Sequence, residues 1–565
     1  MKPGPSRAAG SALLVFCCAG SGAGSEERAQ ASPAIHVESL APELRFPDAA
    51  APDALRRVCA KTGDELQEFF RSRGAPFEPG VVRSRRGRRC HIDYTPTLPG
   101  FRADPEDAPI QELFVNVESL SFLARRTEVF GDALDISKAI VARLPRPLRI
   151  TLGVERDLPD RWYEEAVAFH YPGAADRIEW RQSRVPAQSN PWVQDFLKSG
   201  RAGGERRILV TRQLFEGRAE DGAVFAPMLD ALRQERFVRS RLSWEGGDLQ
   251  FARHPLDPGR LVLFFGDSAK AYWGEALEQD EYAYVLKREF GADLAVDLSG
   301  LVPHVDFFLA VLPADRIALV SQPVSGRREL AEAAASALEQ RFAQDAPPAL
   351  LELRQRLAQP DAFSEGRRRV EQLLRRAQQE AREGWPRHED PELGERLARH
   401  LAARCPETPS DCFADAAVAG LLRSDPALLR DWAQAALRDR TEAALDVRLL
   451  SVVESQLSQR PVPTQGLIDA KVRELEELGF RVVRVPRLGG DRSLKVAWSG
   501  ISYVNALLVD EVLFLPRFGL GEAEQRIFDE LGAALPDHYQ LVPVPARHML
   551  LFNGGVHCSV AEVRE

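Results

Sequence analysis

One pattern constrains the fold because the chain returns to it. "DLQFARHPLDPGRLVLFFGDS" (248–268) is two strand-like runs about a Pro/Gly turn, followed by a helical run, "YWGEALEQDEYAYVLKREFG" (272–291), and a strand, "ADLAVDLS" (292–299). The same order recurs in "HVDFFLAVLPADRIALVSQP" (304–323), whose helix "AKVRELEELGF" and strand "RVVRVPRL" come only at 470–488. It recurs again in "SYVNALLVDEVLFLPRFG" (502–519), "EAEQRIFDELGAAL" and "YQLVPVP" (539–545). Two earlier stretches fit in part: "PLRITLGV", "RWYEEAVAF", "RIEWRQ", and "RRILVTR", "APMLDALRQE", "FVRSRLSW". Unit-closing strands are expected near residues 180, 240, 297, 485 and 543, about 58 residues apart except for one long gap. Hairpins alternating with helices and returning strands predict an α/β fold of five ββαβ repeats.

The long gap marks an insertion over about 327–455, rich in Ala, Leu, Glu and Arg at helical spacing, which reads as a solvated helical excursion. Residues 33–145 lie outside the repeat and read as a small N-terminal region, leaving 146–565 as the repeat domain. The basic cluster "SRRGRRC" (84–90) in that region reads as a solvated loop. Residues 1–24 have Lys2 and Arg7, then a short apolar run and small residues, the order of a signal peptide cleaved near Gly22–Ser25. The expectation is a secreted or periplasmic protein, with a cytoplasmic one as the alternative.

That leader leaves Cys59, Cys90, Cys405, Cys412 and Cys558. Pairs Cys59–Cys90 and Cys405–Cys412 suggest themselves by position, and Cys558 is left over as a reactive thiol. The net charge of −9 argues against nucleic acid as the main partner and suits a cationic one. No run approaches the ~18 apolar residues of a membrane span.

Each unit-closing strand is followed within about 20 residues by a polar motif: "NPWVQD" (190–195), "SWEGGD" (243–248), "PHVD" (303–306), "SYVN" (502–505) and "NGGVHC" (553–558). If the repeats surround an axis, these points approach one centre and gather Asp195, Glu245, Asp248, His304, Asp306, Asn505 and Cys558. On a strand, His304 and Asp306 would share a face, roughly 6.6 Å apart. The set lacks paired CxxC or HxxxH spacing and is richer in acid than in imidazole, so no metal is expected. A thiol, a histidine and several carboxylates fit a nucleophile acting on a cationic carbon. A guanidinium, planar and able to donate to two carboxylates, satisfies this.

"PWVQD", "WEGGDL", "LVLFFGDS", "PHVDFFLAVLP", "YVNALLVDEVLFLPRFG" and "GGVHC" together resemble the guanidine-modifying pentein superfamily, chiefly its protein-arginine deiminases, with features of agmatine deiminases. The resemblance spans about 145–565 without the insertion and implies a five-bladed α/β propeller. It implies Cys558 as nucleophile, His304 as general acid and base, and Asp195 and Asp306 as the grip on the guanidinium. Trp192, Glu245 and Asn505 are carried over as substrate-site residues. The implied reaction converts protein or peptide arginine to citrulline through a thiouronium on Cys558, with no cofactor.

Two positions depart from that family. Phe196 and Lys198 replace acids that help bind calcium in vertebrate members, so calcium-independent activity is expected, with an ammonium partly replacing the metal charge. Phe552 replaces an arginine that recognises the peptide backbone, a role for which Arg201, Arg206 and Arg207 are the substitutes. The alternatives are a deiminase of agmatine or free arginine, an amidinotransferase, a thiol peptidase, or a catalytically silent pentein binding module. The sequence leaves the oligomeric state open.

Overall fold

The computed structural model describes most residues within 81–116, 127–154, 171–182, 192–211, 237–266, 279–339, 465–488 and 501–564. The expected leader, the pairings of Cys59 with Cys90 and of Cys405 with Cys412, and most of the 327–455 insertion lie outside them. Among the described residues, no helix is long and apolar enough to cross a membrane.

In chain order, a hairpin of β1 (Val81–Arg86) and β2 (Arg89–Tyr94) leads to β3 (Arg102–Ala103) and β4 (Ile110–Asn116). Helix α1 (Thr127–Arg143), β5 (Arg149–Val154) and β6 (Ile178–Gln182) follow, then β7 (Leu197–Ala202), β8 (Glu205–Val210) and β9 (Phe237–Arg239). The middle holds β10 (Leu249–His254), β11 (Asp257–Phe265), α2 (Gln279–Phe290), β12 (Leu294–Asp297), β13 (Leu309–Leu312), β14 (Ile317–Pro323) and α3 (Arg328–Glu339). The C-terminal part holds α4 (Gln465–Glu477), β15 (Arg481–Leu488), β16 (Ile501–Ser502), β17 (Leu507–Val509), β18 (Val512–Arg517), α5 (Glu522–Ala534), β19 (Gln540–Pro545) and β20 (Val560–Arg564).

Five sheets share one core, an antiparallel pair whose second strand takes a third in parallel: β7–β8–β9, β10–β11–β12, β13–β14–β15, β17–β18–β19 and β20–β4–β5. A parallel third strand needs a crossover, which supplies the helices. α4 buries Ile468, Val472 and Leu475, and α5 buries Ala523, Ile527 and Leu531, one face in each case at helical spacing. In α5 the buried Glu524 carboxylate accepts from the N–H of Phe518 (2.6 Å) and Gly519 (3.0 Å), fixing the turn that enters the helix. β14 is almost continuously buried, as a strand covered on both faces must be.

β14 and β15 pair over seven residues, Ile317 with Arg481 through Pro323 with Arg487, although the long insertion separates them in sequence. The excursion therefore leaves and rejoins one repeat. Two expectations change. The strand near 180, β6, is an addition beside β5 rather than a repeat-closing strand; β5 is the third member of its core trio. The boundary near residue 146 also moves. β4 pairs with both β20 and β5, and β3 pairs with β7, so Arg102–Ala103 and Ile110–Asn116 belong to the sheets. The partner of β4 lies at the far end of the chain, where reading adjacent segments could not find it.

Candidate active site

A short 3-10 turn precedes the first strand of four of these sheets: Val193–Phe196 before β7, Gly246–Asp248 before β10, Val305–Phe307 before β13 and His557–Ser559 before β20. The Ser502–Asn505 stretch holds the matching place before β17. The five contact one another in series. Gly247 N donates to Asp195 Oδ1 (3.4 Å), and an added Gly247 Cβ would lie 3.0 Å from Asp306 Oδ2. Ser502 Oγ donates to Phe307 O (2.8 Å), and His557 N donates to Asn505 Oδ1 (2.9 Å). The Trp192 ring lies against Gly554, where any Cβ would enter it at 1.9 Å. Glycine at 554 is required by that close approach.

Asp195, His304, Asp306 and Cys558 thus meet, although His304 and Asp306 are not on a strand as expected. His304 caps the Val305–Phe307 turn, which brings both side chains to the centre by curling rather than by alternation. His304 Nε2 is 2.6 Å from Glu245 Oε2, and its Nδ1 is 3.9 Å from Asp195 Oδ1. Cys558 Sγ donates to Asp306 Oδ2 and receives the Asn505 amide, both at 3.2 Å. Asp306 is fully buried, and its Oδ1 has no hydrogen-bond partner among the described residues. Glycine at 247 lets these groups crowd the centre, since a Cβ there would lie only 3.0 Å from His304 Nδ1 and 3.2 Å from Asp195 Oδ1 as well, tighter than ordinary van der Waals contact. Asp248 sits against Gly266, whose added Cβ would meet its Oδ1 at 2.2 Å, and beside Tyr282.

Electrostatics follow from burial. Desolvation works against the His304 imidazolium, yet Glu245, Asp195 and hydrogen bonds to Cys558 and Glu245 outweigh it and raise its pKa well above the usual value. Burial, then the Asp306 charge, push the Cys558 thiol far up, with His304 pulling the other way. One donor atom each from His304, Asp306 and Cys558 lie within 4.8 Å of one another, as do Glu106, His557 and Glu562, so both trios have the spacing to hold a cation.

The second trio was missed from sequence. Arg564 Nη2 pairs with Glu106 Oε2 (2.9 Å) and its Nε donates to Glu562 Oε2 (2.8 Å). Lys198 is buried; desolvation lowers its pKa, against the pull of Glu106, Glu562 and Asp306. Gln194, with its oxygen toward Lys198, accepts from Nζ at 2.8 Å and donates to Val560 O at 2.9 Å. The available signal was alternation: Glu562 and Arg564 share one face of β20. Of the proposed substitutes for backbone recognition, Arg201 and Arg206 oppose each other four positions along β7 from Leu197, about 13 Å of strand beyond the Asp195 end. Arg206 bonds Gln111 and Arg207 pairs with Glu205.

Comparison with known families bears on this geometry. Residues 464–563 match the Porphyromonas-type peptidyl-arginine deiminase family. The matched segment supplies Asn505, His557 and Cys558. No curated protein sequence matches the chain. Among solved structures, the agmatine deiminase of C. jejuni aligns at 12% identity and TM-score 0.44, covering 82% of this chain and 96% of its own. The agmatine deiminase of Enterococcus faecalis aligns at 11% identity and TM-score 0.42, covering 82% and 96%. An amidinotransferase from Microseira wollei aligns at 8% identity and TM-score 0.33, covering 82% and 97%. At TM-scores under 0.5 the chemistry has to come from the side chains themselves.

Proposed function

We propose that the protein is a hydrolase of guanidino groups, a deiminase that converts arginine in a protein or peptide to citrulline and ammonia. One observation carries the reading: a thiol, an imidazole and the two carboxylates of Asp195 and Asp306 converge on one buried point. The match of residues 464–563 to the peptidyl-arginine deiminase family supports it. The five sheets, each an antiparallel pair with a third strand in parallel and with their turns touching in series, support a five-bladed propeller.

A guanidinium lying between Asp195 and Asp306 would donate to both and give Asp306 Oδ1 a partner. Burying that acceptor unpaired costs about 1–3 kcal/mol, so the site favours a donor-rich cation. The cation also offsets the acid that holds the proton on Cys558, so substrate binding itself favours the thiolate. The thiolate attacks the guanidinium carbon; as the C–N bond breaks, imidazolium His304 gives its proton to the departing ammonia. The S-alkylthiouronium is then attacked by a water, one of whose protons His304 takes; the C–S bond breaks to return the thiolate and a ureido product, and the second water proton passes to solvent, where it converts the released ammonia to ammonium. Glu245 orients His304 through Nε2, Asn505 donates to the sulfur, and Trp192 walls the substrate stem.

Lys198, among Glu106, Glu562 and Asp306, supplies positive charge beside the site, which supports catalysis without calcium or another cofactor. The export-like leader and the helical insertion favour a protein or peptide substrate outside the cytoplasm. Agmatine or free arginine is the second reading, favoured by the agmatine deiminase-like "EGGD" and "GGVHC" motifs.

The test is ammonia release from a capped arginine amide, free arginine and agmatine, for wild type and Cys558→Ala, with and without a chelator. The expected result is turnover fastest on the capped arginine, indifferent to chelator and abolished in Cys558→Ala. Release from no guanidine, or full activity in Cys558→Ala, would overturn the proposal.

A further inference from the structure

The mechanism above uses one of two histidines beside Asp306. The other, His557, is buried immediately before Cys558. Its Nδ1 is 3.2 Å from Asp306 Oδ2, its Nε2 is 3.8 Å from Glu562 Oε1, and its backbone N–H is held by Asn505. A metal ion is not needed to explain this trio, because Arg564 and Lys198 already bring positive charge to Glu106 and Glu562.

Asp306 Oδ2 therefore has two donors, the Cys558 thiol and His557 Nδ1, while Oδ1 has none among the described residues. A carboxylate tied at one oxygen by two groups has little freedom to rotate. A lone thiol contact, lost when the sulfur ionises, would leave it free to do so. We propose that His557 is a positioning residue: by holding Asp306 through Oδ2, it keeps the carboxylate oriented for the substrate guanidinium after the thiol proton has gone. Fixing an acid that must meet a planar cation at defined angles is where such support is most effective.

The charged form of His557 is favoured by the acids around it. Desolvation works against it, and Asp306, Glu562 and Glu106 outweigh that to raise its pKa. The positive charges near it are Lys198 and Arg564, each engaged with the same acids. With Nδ1 3.2 Å from Asp306 Oδ2, it is toward Asp306 that a proton on this nitrogen is donated.

This inference rests on the guanidine reading, and two substitutions isolate it. In His557→Asn the amide nitrogen falls near the place of Nδ1 and can still donate to Asp306. In His557→Gln it falls near Nε2 and serves Glu562 instead. For whichever arginine compound the wild type turns over, His557→Asn should retain kcat/KM within about tenfold. His557→Gln should lose about 10–100-fold, mainly as a raised KM, at a similar melting temperature. Equal losses in the two, or a better Gln variant, would overturn the proposal. Iodoacetamide alkylation of Cys558 gives a readout that needs no substrate. Removing the cation behind Asp306 should move its midpoint to higher pH in both variants, and an unmoved midpoint also overturns the proposal. Failure of the guanidine reading would appear separately, as absence of turnover by the wild type.

Discussion

Asp306 stands between two groups of buried charge. On one side are Asp195, Glu245, His304 and Cys558; on the other are Glu106, Lys198, His557, Glu562 and Arg564. In the second group the acids and the cations interlock, with Arg564 bridging Glu106 and Glu562 and also donating to Ala108 O (2.9 Å). In the first, three carboxylates counting Asp306 surround a single imidazole, and two of them crowd the side-chain-free Gly247. A compensated cluster has its charge satisfied in the folded chain and contributes rigidity. An acid-rich one has charge left over, which is binding energy for an incoming cation.

The sharpest way to break this contrast is to neutralise one acid on the open side. Asp195→Asn should cost about 10³-fold in kcat/KM, about 4 kcal/mol of transition-state stabilisation, with thermal stability unchanged or improved. If ammonia release survives, the acid excess is not what binds substrate. On the closed side the expectation reverses. Arg564→Met leaves two buried acids short of a cation and should cost about 3 kcal/mol in urea denaturation, while the protein that remains folded keeps its kcat. Equal damage to folding and to kcat would dissolve the distinction.

A smaller effect sharpens it. The raised pKa of His304 depends on Glu245, so Glu245→Gln should lower it and move the alkaline limb of the pH–rate profile to lower pH. The sign for stability follows. A histidine whose folded pKa is raised adds stability below its unfolded value of about 6.5, and that contribution disappears as pH rises through the folded value. The variant should therefore fall furthest behind wild type in acid and draw level in alkali; a constant deficit across pH would show that the Glu245 contact acts through packing alone.

The open side was legible in the sequence because its residues sit at matching points of a repeat. Asp195, Glu245, His304, Asp306, Asn505 and Cys558 each lie in a turn before the first strand of a sheet, and hydrophobic alternation is enough to find those strands. Asp248, picked by the same rule, shows its limit: one residue of a turn faces the centre while another packs beneath Gly266. The closed side was not legible. Glu106 precedes β4 and Arg564 ends β20, and only the pairing of the two chain ends brings them together. His557 was hidden differently. It adjoins Cys558, and two consecutive side chains on a regular strand would diverge; the 3-10 turn lets both reach Asp306.

The same pairing has a temporal consequence. β20, which continues directly from the turn bearing Cys558, finds its neighbour in β4, made long before it on the ribosome. Closing so wide a loop is slow and entropically unfavourable until the intervening sheets have formed. A nascent chain would thus carry its acids and His304 in place well ahead of its sulfur, and reactivity would switch on only at the moment the two ends join.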